Sequence, residues 1–297
     1  MLNWLRHPMK ENRPHRNAPG RRPTPGRVWP LAVALVVSTA PTGFAETIKI
    51  GGTGAATATM EALAKAFERA HPDQKVIVVP GLGSRGAKKA LMAGSLDIAV
   101  SADPLTAAER DQEFGAFDYA RSPYVFITSR AHAASGLSMK ELVDIYNGTT
   151  TTWPDGSRLR LILRPPLDSD TTALRAISPA MDRAVQAALS RPGMINAPSD
   201  QDAVDAIEHL PGAFGISTLG LLISEKRSVK VLAIDGVVPS TKAMAEGAYP
   251  YFKTLRVITR RTPPPPVQRF LEYLQSPRAH EILSTLGFWA VAPKAGR

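Results

Sequence analysis

The sequence predicts an α/β fold built on a mostly parallel sheet, and three observations carry that prediction. Short apolar runs of strand length alternate with stretches whose apolar residues recur at helical spacing. The turns that lead from strand to helix are rich in glycine and hydroxyl residues. Residues 46–297 are also long enough for two units that each bury a core of their own.

The elements follow in order. Residues 47–50 read as a strand, 51–54 as a glycine turn, and 55–70 as a helix with Met60, Leu63, Ala64 and Phe67 on one face. The same arrangement returns as a strand at 76–79, a turn at 81–86 and a helix at 87–92, followed by strands at 96–100 and 124–128 with a short helix between them. Ser138 and Glu141 make a capping box, which opens a helix that stops at Asn147-Gly148. Residues 159–163 form a strand, 164–171 a turn, and a helix starts at Thr172. Ser199 with Asp202 starts another, closed by Pro211-Gly212 before a strand at 213–216. Strands at 229–234 and 255–259, a stiff connector of four prolines at 263–266, and helices at 267–275 and 278–286 complete the chain. Met60, Phe67, Phe270 and Leu274 are expected in the core.

The chain carries a formal net charge of +10 and no cysteine. Six of those ten charges sit in residues 1–45, where seven basic residues face only Glu11. A nucleic-acid surface is therefore excluded as the reason for the high isoelectric point. The same segment passes from a basic, proline-rich stretch into the apolar run 31–37, with Gly43 and Ala45 as small residues at its end. It reads as a secretory signal peptide cleaved after Ala45. The run falls well short of the roughly 20 residues of a membrane span. Prolines after Arg21-Arg22 make a twin-arginine reading a coincidence. The missing cysteine excludes disulfides and a lipid-anchored N-terminus, so a free periplasmic protein is expected.

Three strand-to-helix turns share one composition: Gly52-Thr53-Gly54-Ala55-Ala56-Thr57, Gly81-Leu82-Gly83-Ser84-Arg85-Gly86, and Arg164 followed by Asp168-Ser169-Asp170-Thr171. Free N–H groups and the positive end of the helix dipole favour an anion at such a terminus. Three of them beside Arg164 point to an oxyanion site. The first turn lacks the third glycine of a dinucleotide fingerprint, since Thr57 stands there. The second resembles the setting of a nucleophile elbow, with Leu82 in place of the first glycine. A secreted serine hydrolase using Ser84 is thus the alternative of another class. Its base would have to come from His71, His132, His209 or His280, each read as a surface or helix residue. The histidines lack metal-ligand spacing, and no metal or cofactor is expected.

Taken in order, these motifs resemble the periplasmic phosphate-binding proteins of ABC transporters, a branch of the type II solute-binding proteins. Asp97-Ile98-Ala99-Val100-Ser101, the run from Leu142 to Gly148 with Trp153, Pro211-Gly212-Ala213-Phe214-Gly215-Ile216 and Gly287-Phe288 extend the match over nearly all of residues 46–297. The resemblance implies two α/β lobes, each with a mixed, mostly parallel sheet: 46–121 plus 249–297 in one, 122–248 in the other, joined by a two-strand hinge near Tyr124 and Leu255. It implies a monomer that binds phosphate or a related tetrahedral oxyanion in the interlobe cleft for an ABC permease, without covalent chemistry. A sensor or binding protein for sulfate, molybdate or tungstate stays open.

By resemblance, Ser84 offers its hydroxyl and a nearby N–H, Thr57 its backbone N–H, Arg164 a charged fork, and Ser169 and Thr171 helix-terminus donors. The chain departs from the pattern at Ala56, where the family has a hydroxyl, and at Asp170, where it has glycine. It departs again at the extra residue between Arg164 and Ser169, and at Ala102, where the family places a carboxylate. Asp103, Asp168 and Asp170 are the candidates to replace that carboxylate, and Asp170, inside the anion turn, has the best claim. Arg85 has no counterpart: it is a solvated residue or, pointing into the cleft, a second fork. Lys88 and Lys89 read as surface.

Overall fold

The computed structural model describes residues 46–110, 113–132 and 134–291. The signal-peptide reading and cleavage after Ala45 fall on residues outside these. The chain begins with β1 (Glu46–Gly52), a single 3-10 turn (Gly54–Ala56), α1 (Thr57–Ala70), β2 (Gln74–Val79), α2 (Gly83–Met92), β3 (Ile98–Ser101) and α3 (Ala107–Arg110). A long strand, β4 (Phe114–Ser129), leads to β5 (Gly136–Leu137), α4 (Met139–Asn147), β6 (Arg160–Leu163), α5 (Ser169–Ala176), α6 (Pro179–Ser190) and β7 (Ile195–Asn196). Then come α7 (Asp200–His209), β8 (Ala213–Thr218), α8 (Leu219–Ser224), β9 (Val229–Ile234), α9 (Thr241–Ala245) and β10 (Phe252–Arg260). Helices α10 (Pro265–Leu274) and α11 (Pro277–Thr285) and the short β11 (Trp289–Ala290) close the described chain.

The sheet is mixed, in the order β2-β1-β3-β10-β4-β8-β6-β7. β1 lies parallel to β2 and β3, and β6 lies parallel to β7 and β8. β10 runs antiparallel to β3 and to the first part of β4, with Phe252 opposite Pro123. From Tyr124 onward β4 pairs instead with β8 and β9. Pro123, which has no N–H to give a ladder, stands where the strand changes partners. One strand thus carries the chain from the first half of the sheet to the second, and the backbone returns beside it, where the Tyr124 N–H donates to the Tyr251 carbonyl at 3.0 Å.

The α/β reading therefore holds, with differences at the element ends. β4 begins at Phe114 rather than Tyr124, because Gly115, Asp118, Arg121 and Pro123 mask its apolar pattern. α2 begins at Gly83, which moves Ser84 and Arg85 from a turn into the first helical turn. α5 begins at Ser169, capped by Asp168, whose carboxylate accepts the Asp170 N–H. The expected capping boxes at Ser138/Glu141 and Ser199/Asp202 are both formed, and Gly148 ends α4 in the left-handed region.

Buried side chains form clusters in both halves of the sheet. Ile48, Ile50, Met60, Leu63, Phe67, Val257, Phe270 and Leu274 belong to the first, where Phe67 meets Phe270 edge-on at 5.1 Å. Phe126, Tyr146, Trp153 and Phe214 belong to the second. Two surface readings are corrected. Lys88 is buried because α3 brings Glu109 to 3.0 Å from its ammonium and the loop before α3 brings the Pro104 carbonyl to 3.3 Å. The His132 ring is covered by Trp153, with ring centres 4.2 Å apart.

Phe67 is fully buried between two helices that close the first cluster. Phe67→Ala should therefore lower the unfolding free energy by about 3–5 kcal/mol in urea titration, the usual loss for emptying such a site.

Candidate functional site

The carboxyl ends of the parallel strands are where an open α/β sheet gathers ligands. Here the ends of β1 and β3 meet the N-termini of α1 and α2, and the ends of β6 and β7 meet those of α5 and α7. Arg164 directly follows β6 and is buried. Its Nη1 donates to the Ala197 carbonyl at 2.6 Å, and its Nη2 donates to Asp168 Oδ2 at 2.8 Å. The Thr171 hydroxyl donates to the Arg164 carbonyl at 3.1 Å, which fixes the strand end against α5. Arg164 Nε is buried without a hydrogen-bond partner.

Beside Arg164 lies a second buried cation that the sequence reading missed. Lys253, on β10, is 2 % exposed. Its Nζ lies 2.5 Å from Asp170 Oδ1 and 3.4 Å from Asp200 Oδ1, and 5.6 Å from the centre of the Tyr124 ring. Asp200, the first residue of α7, also faces Arg164, its Oδ2 3.8 Å from Nη2. A signal for Lys253 was present: strand alternation puts it on the inward face with Leu255 and Val257. A lysine on such a face needs buried counter-charge.

The structure brings Arg164, Asp170 and Thr171 into one cluster with Asp168, Asp200 and Lys253. Ser169 is half-buried at the start of α5. Ser84 and Thr57 belong to the other half of the sheet. The buried Ser84 hydroxyl accepts the Ala102 N–H at 3.0 Å, and the Thr57 N–H donates to the Gly54 carbonyl. Arg85 is exposed. The two halves touch at Gly54, whose carbonyl accepts from Gln201 Nε2 at 3.1 Å. A Cβ there would lie 2.5 Å from Gln201 Oε1 and 2.7 Å from Asp200 Oδ2, so a larger residue would require those two side-chain ends to shift. A separate cavity of about 630 Å³ beside β4 and β10 is lined by Arg110, Arg121, Arg256 and Arg261. It adjoins the loop after β3, where Arg256 Nη1 donates to the Ala102 carbonyl at 2.6 Å.

Two buried cations face two buried carboxyl groups, Asp170 and Asp200, with the partly exposed Asp168 as a third, so ionising all three leaves excess negative charge. Burial pushes the Asp170 carboxyl up to about 7, against the pull of Lys253. Burial also opposes ionisation of Asp200, but the Lys253 and Arg164 charges outweigh it and hold that carboxylate below its ordinary range. The two carboxyls titrate as a unit, Asp170 at the higher pH and Asp200 at the lower. Lys253 stays charged: desolvation is outweighed by Asp170 and Asp200, which raise its pKa well above the ordinary value. Among the described residues there is no group of histidine and acidic side chains arranged to hold a metal. No described helix is long and apolar enough to cross a membrane.

Comparison with known proteins defines the class of fold around this cluster. A family model described as the PBP superfamily domain matches residues 37–278, and the chain belongs to that family. The phosphate-binding protein PstS of Bacillus subtilis is 30% identical over 144 residues, which cover 47% of this chain and 45% of that one, so the match spans less than half of that relative. Among solved structures, a candidate phosphate ABC transporter substrate-binding protein of Clostridium perfringens, with phosphate bound, superposes with a TM-score of 0.71 at 17% identity. That match covers 83% of this chain and all of the other. An ABC-type phosphate transport receptor from Vibrio cholerae gives 0.59 at 20% identity, over 82% of this chain and 99% of the other. At these identities the two structures show the fold.

A raised carboxyl pKa in the folded state gives stability that is complete below the unfolded value and is lost as pH rises through the folded one. Asp170 should therefore make the protein progressively less stable as pH rises from about 4 to 7. Asp200 acts below that window, because its pKa is lowered. Urea unfolding at stepped pH should show Asp170→Asn with a flatter profile than the native chain from pH 4 to 7.

Proposed function

We propose that the chain is a periplasmic solute-binding protein that captures phosphate, or a related tetrahedral oxyanion, in a cleft between two lobes and presents it to an ABC transporter permease. The lobes comprise residues 46–121 plus 249–297 and residues 122–248, and residues 1–45 direct export. The observation that carries the reading is the burial of Arg164 and Lys253 together at the strand ends, beside the N-termini of α5 and α7 and against the Gly54 turn. Cations so placed are preorganised for a compact anion, with helix-terminus N–H groups adding donors.

In this reading Arg164 gives the ligand a charged donor through its free Nε, and Ser84, whose oxygen already accepts from Ala102, has its hydroxyl proton to donate. Thr171 acts mainly by holding Arg164, and Ser169 contributes a donor at the start of α5 beside the Asp168 cap. Thr57 donates once the α1 terminus opens from Gly54, and Arg85 stays at the rim. Asp170 takes the role of the carboxylate missing at Ala102: unprotonated, it accepts a hydrogen bond from a protonated oxyanion and repels a fully ionised one. Ligand contacts to both lobes favour the closed form, which the permease reads, and the protein works as a monomer.

A hydrolase using Ser84 is not favoured. His132 packs on Trp153, and His209 Nδ1 meets the Asp205 carbonyl at 2.8 Å, so neither serves Ser84 as base.

Titration calorimetry should show Arg164→Ala weakening phosphate binding by about 2–4 kcal/mol, with Arg164→Lys between it and the native protein. Unchanged affinity would take Arg164 out of the site. Asp170→Asn should relax the preference for phosphate over sulfate at least tenfold, about 1.4 kcal/mol. Native protein that binds sulfate as well as phosphate would contradict the reading of a ligand proton. Intact-mass analysis of the exported protein should find Glu46 first, and a full-length cytoplasmic form alone would contradict export.

A further inference from the structure

We propose that Asp200 is a built-in counter-ion that competes with the ligand and so sets the affinity of the site; this rests on the oxyanion reading. Each buried cation already has a close carboxylate of its own, Asp168 at 2.8 Å for Arg164 and Asp170 at 2.5 Å for Lys253. Asp200 stands between the two pairs, 3.8 Å from Arg164 Nη2 and 3.4 Å from Lys253 Nζ. Both contacts are longer than the roughly 2.7–2.9 Å of a strong charge-assisted hydrogen bond, the one to Lys253 being a long hydrogen bond and the one to Arg164 an ion pair. Asp200 therefore neutralises both cations while held less closely than Asp168 and Asp170 are. Its Oδ2 also lies over Gly54, where an added Cβ would be only 2.7 Å away.

These three contacts outline the space an oxyanion needs to reach Arg164, Lys253 and the α1 turn at once. Asp200 fills it. The groups facing its carboxyl are Arg164, Lys253, Asp170 and Gly54, with Asp168 and the Tyr124 ring behind the two cations. Its backbone is fixed at the start of α7 by the Ser199/Asp202 capping box, so the side chain can turn away while the helix stays in place. When the cleft is empty Asp200 covers the cations, and a ligand enters by displacing it. The glycine at position 54, which the sequence motif assigns to the approach of an anion, serves the approach of the protein's own carboxylate.

The test is calorimetry of the mature protein and its Asp200→Asn variant with phosphate and with sulfate at pH 7, with Asp200→Ser as a second neutral variant and circular dichroism to check folding. Loss of the competing charge should strengthen binding of both anions at least tenfold in both variants. Native protein that binds phosphate, with folded variants that bind equally or more weakly, would overturn the competition while leaving the oxyanion reading intact. Weakening confined to phosphate would show Asp200 to be a direct acceptor from the ligand, and would overturn it too. Failure of the native protein and both variants to bind either anion would overturn the oxyanion reading itself, and the competition with it.

Discussion

The site depends on one ammonium group. Lys253 sits on β10, the strand that returns beside β4 to the first half of the sheet, and burial leaves it no water. A buried charge of this kind is tolerated only with counter-ions at hand. Asp170 and Asp200 supply them from the N-termini of α5 and α7, two helices otherwise joined through the turn at Arg164 and Ala197. The Lys253 position thus fixes where both helices end relative to the β4/β10 pair. Removing one partner would leave an uncompensated charge, whereas the pair as a whole adds little net stability, so its value lies in orientation.

The departures from the resembled family become intelligible together. Where that pattern has glycine, this chain has Asp170, and the cost of burying its carboxyl is met by Lys253 and by a raised pKa. The extra residue after Arg164 lengthens the turn so that Asp168 both caps α5 and holds the guanidinium. At Ala102, where that pattern has a carboxylate, the backbone N–H goes to Ser84 and the carbonyl to Arg256.

Much of the fold was legible in local signals. Alternating strand and helix periods, the capping boxes at Ser138 and Ser199 and the turn at Asn147-Gly148 are short-range rules that the structure obeys. The buried cluster was legible where chemistry coincided with such rules: Arg164, Asp170 and Thr171 lie in a recognisable turn. Lys253 and Asp200 were not, because their ion pairs in the cluster reach across more than 30 positions of sequence. Lys88 and His132 were misread for the same reason, since distant partners cover them. The first half of β4 was missed because a strand that changes sheets carries Pro123 and charged residues where an ordinary core strand would not.

The most direct test of the account is a crystal structure of the mature protein grown with phosphate at pH 7. The account predicts phosphate oxygens hydrogen-bonded to Arg164 and Lys253 and lying against the Gly54 turn, with the Asp200 carboxylate turned out of that space. Phosphate bound without contact to Arg164, for example in the arginine-lined cavity beside β4 and β10, would contradict it.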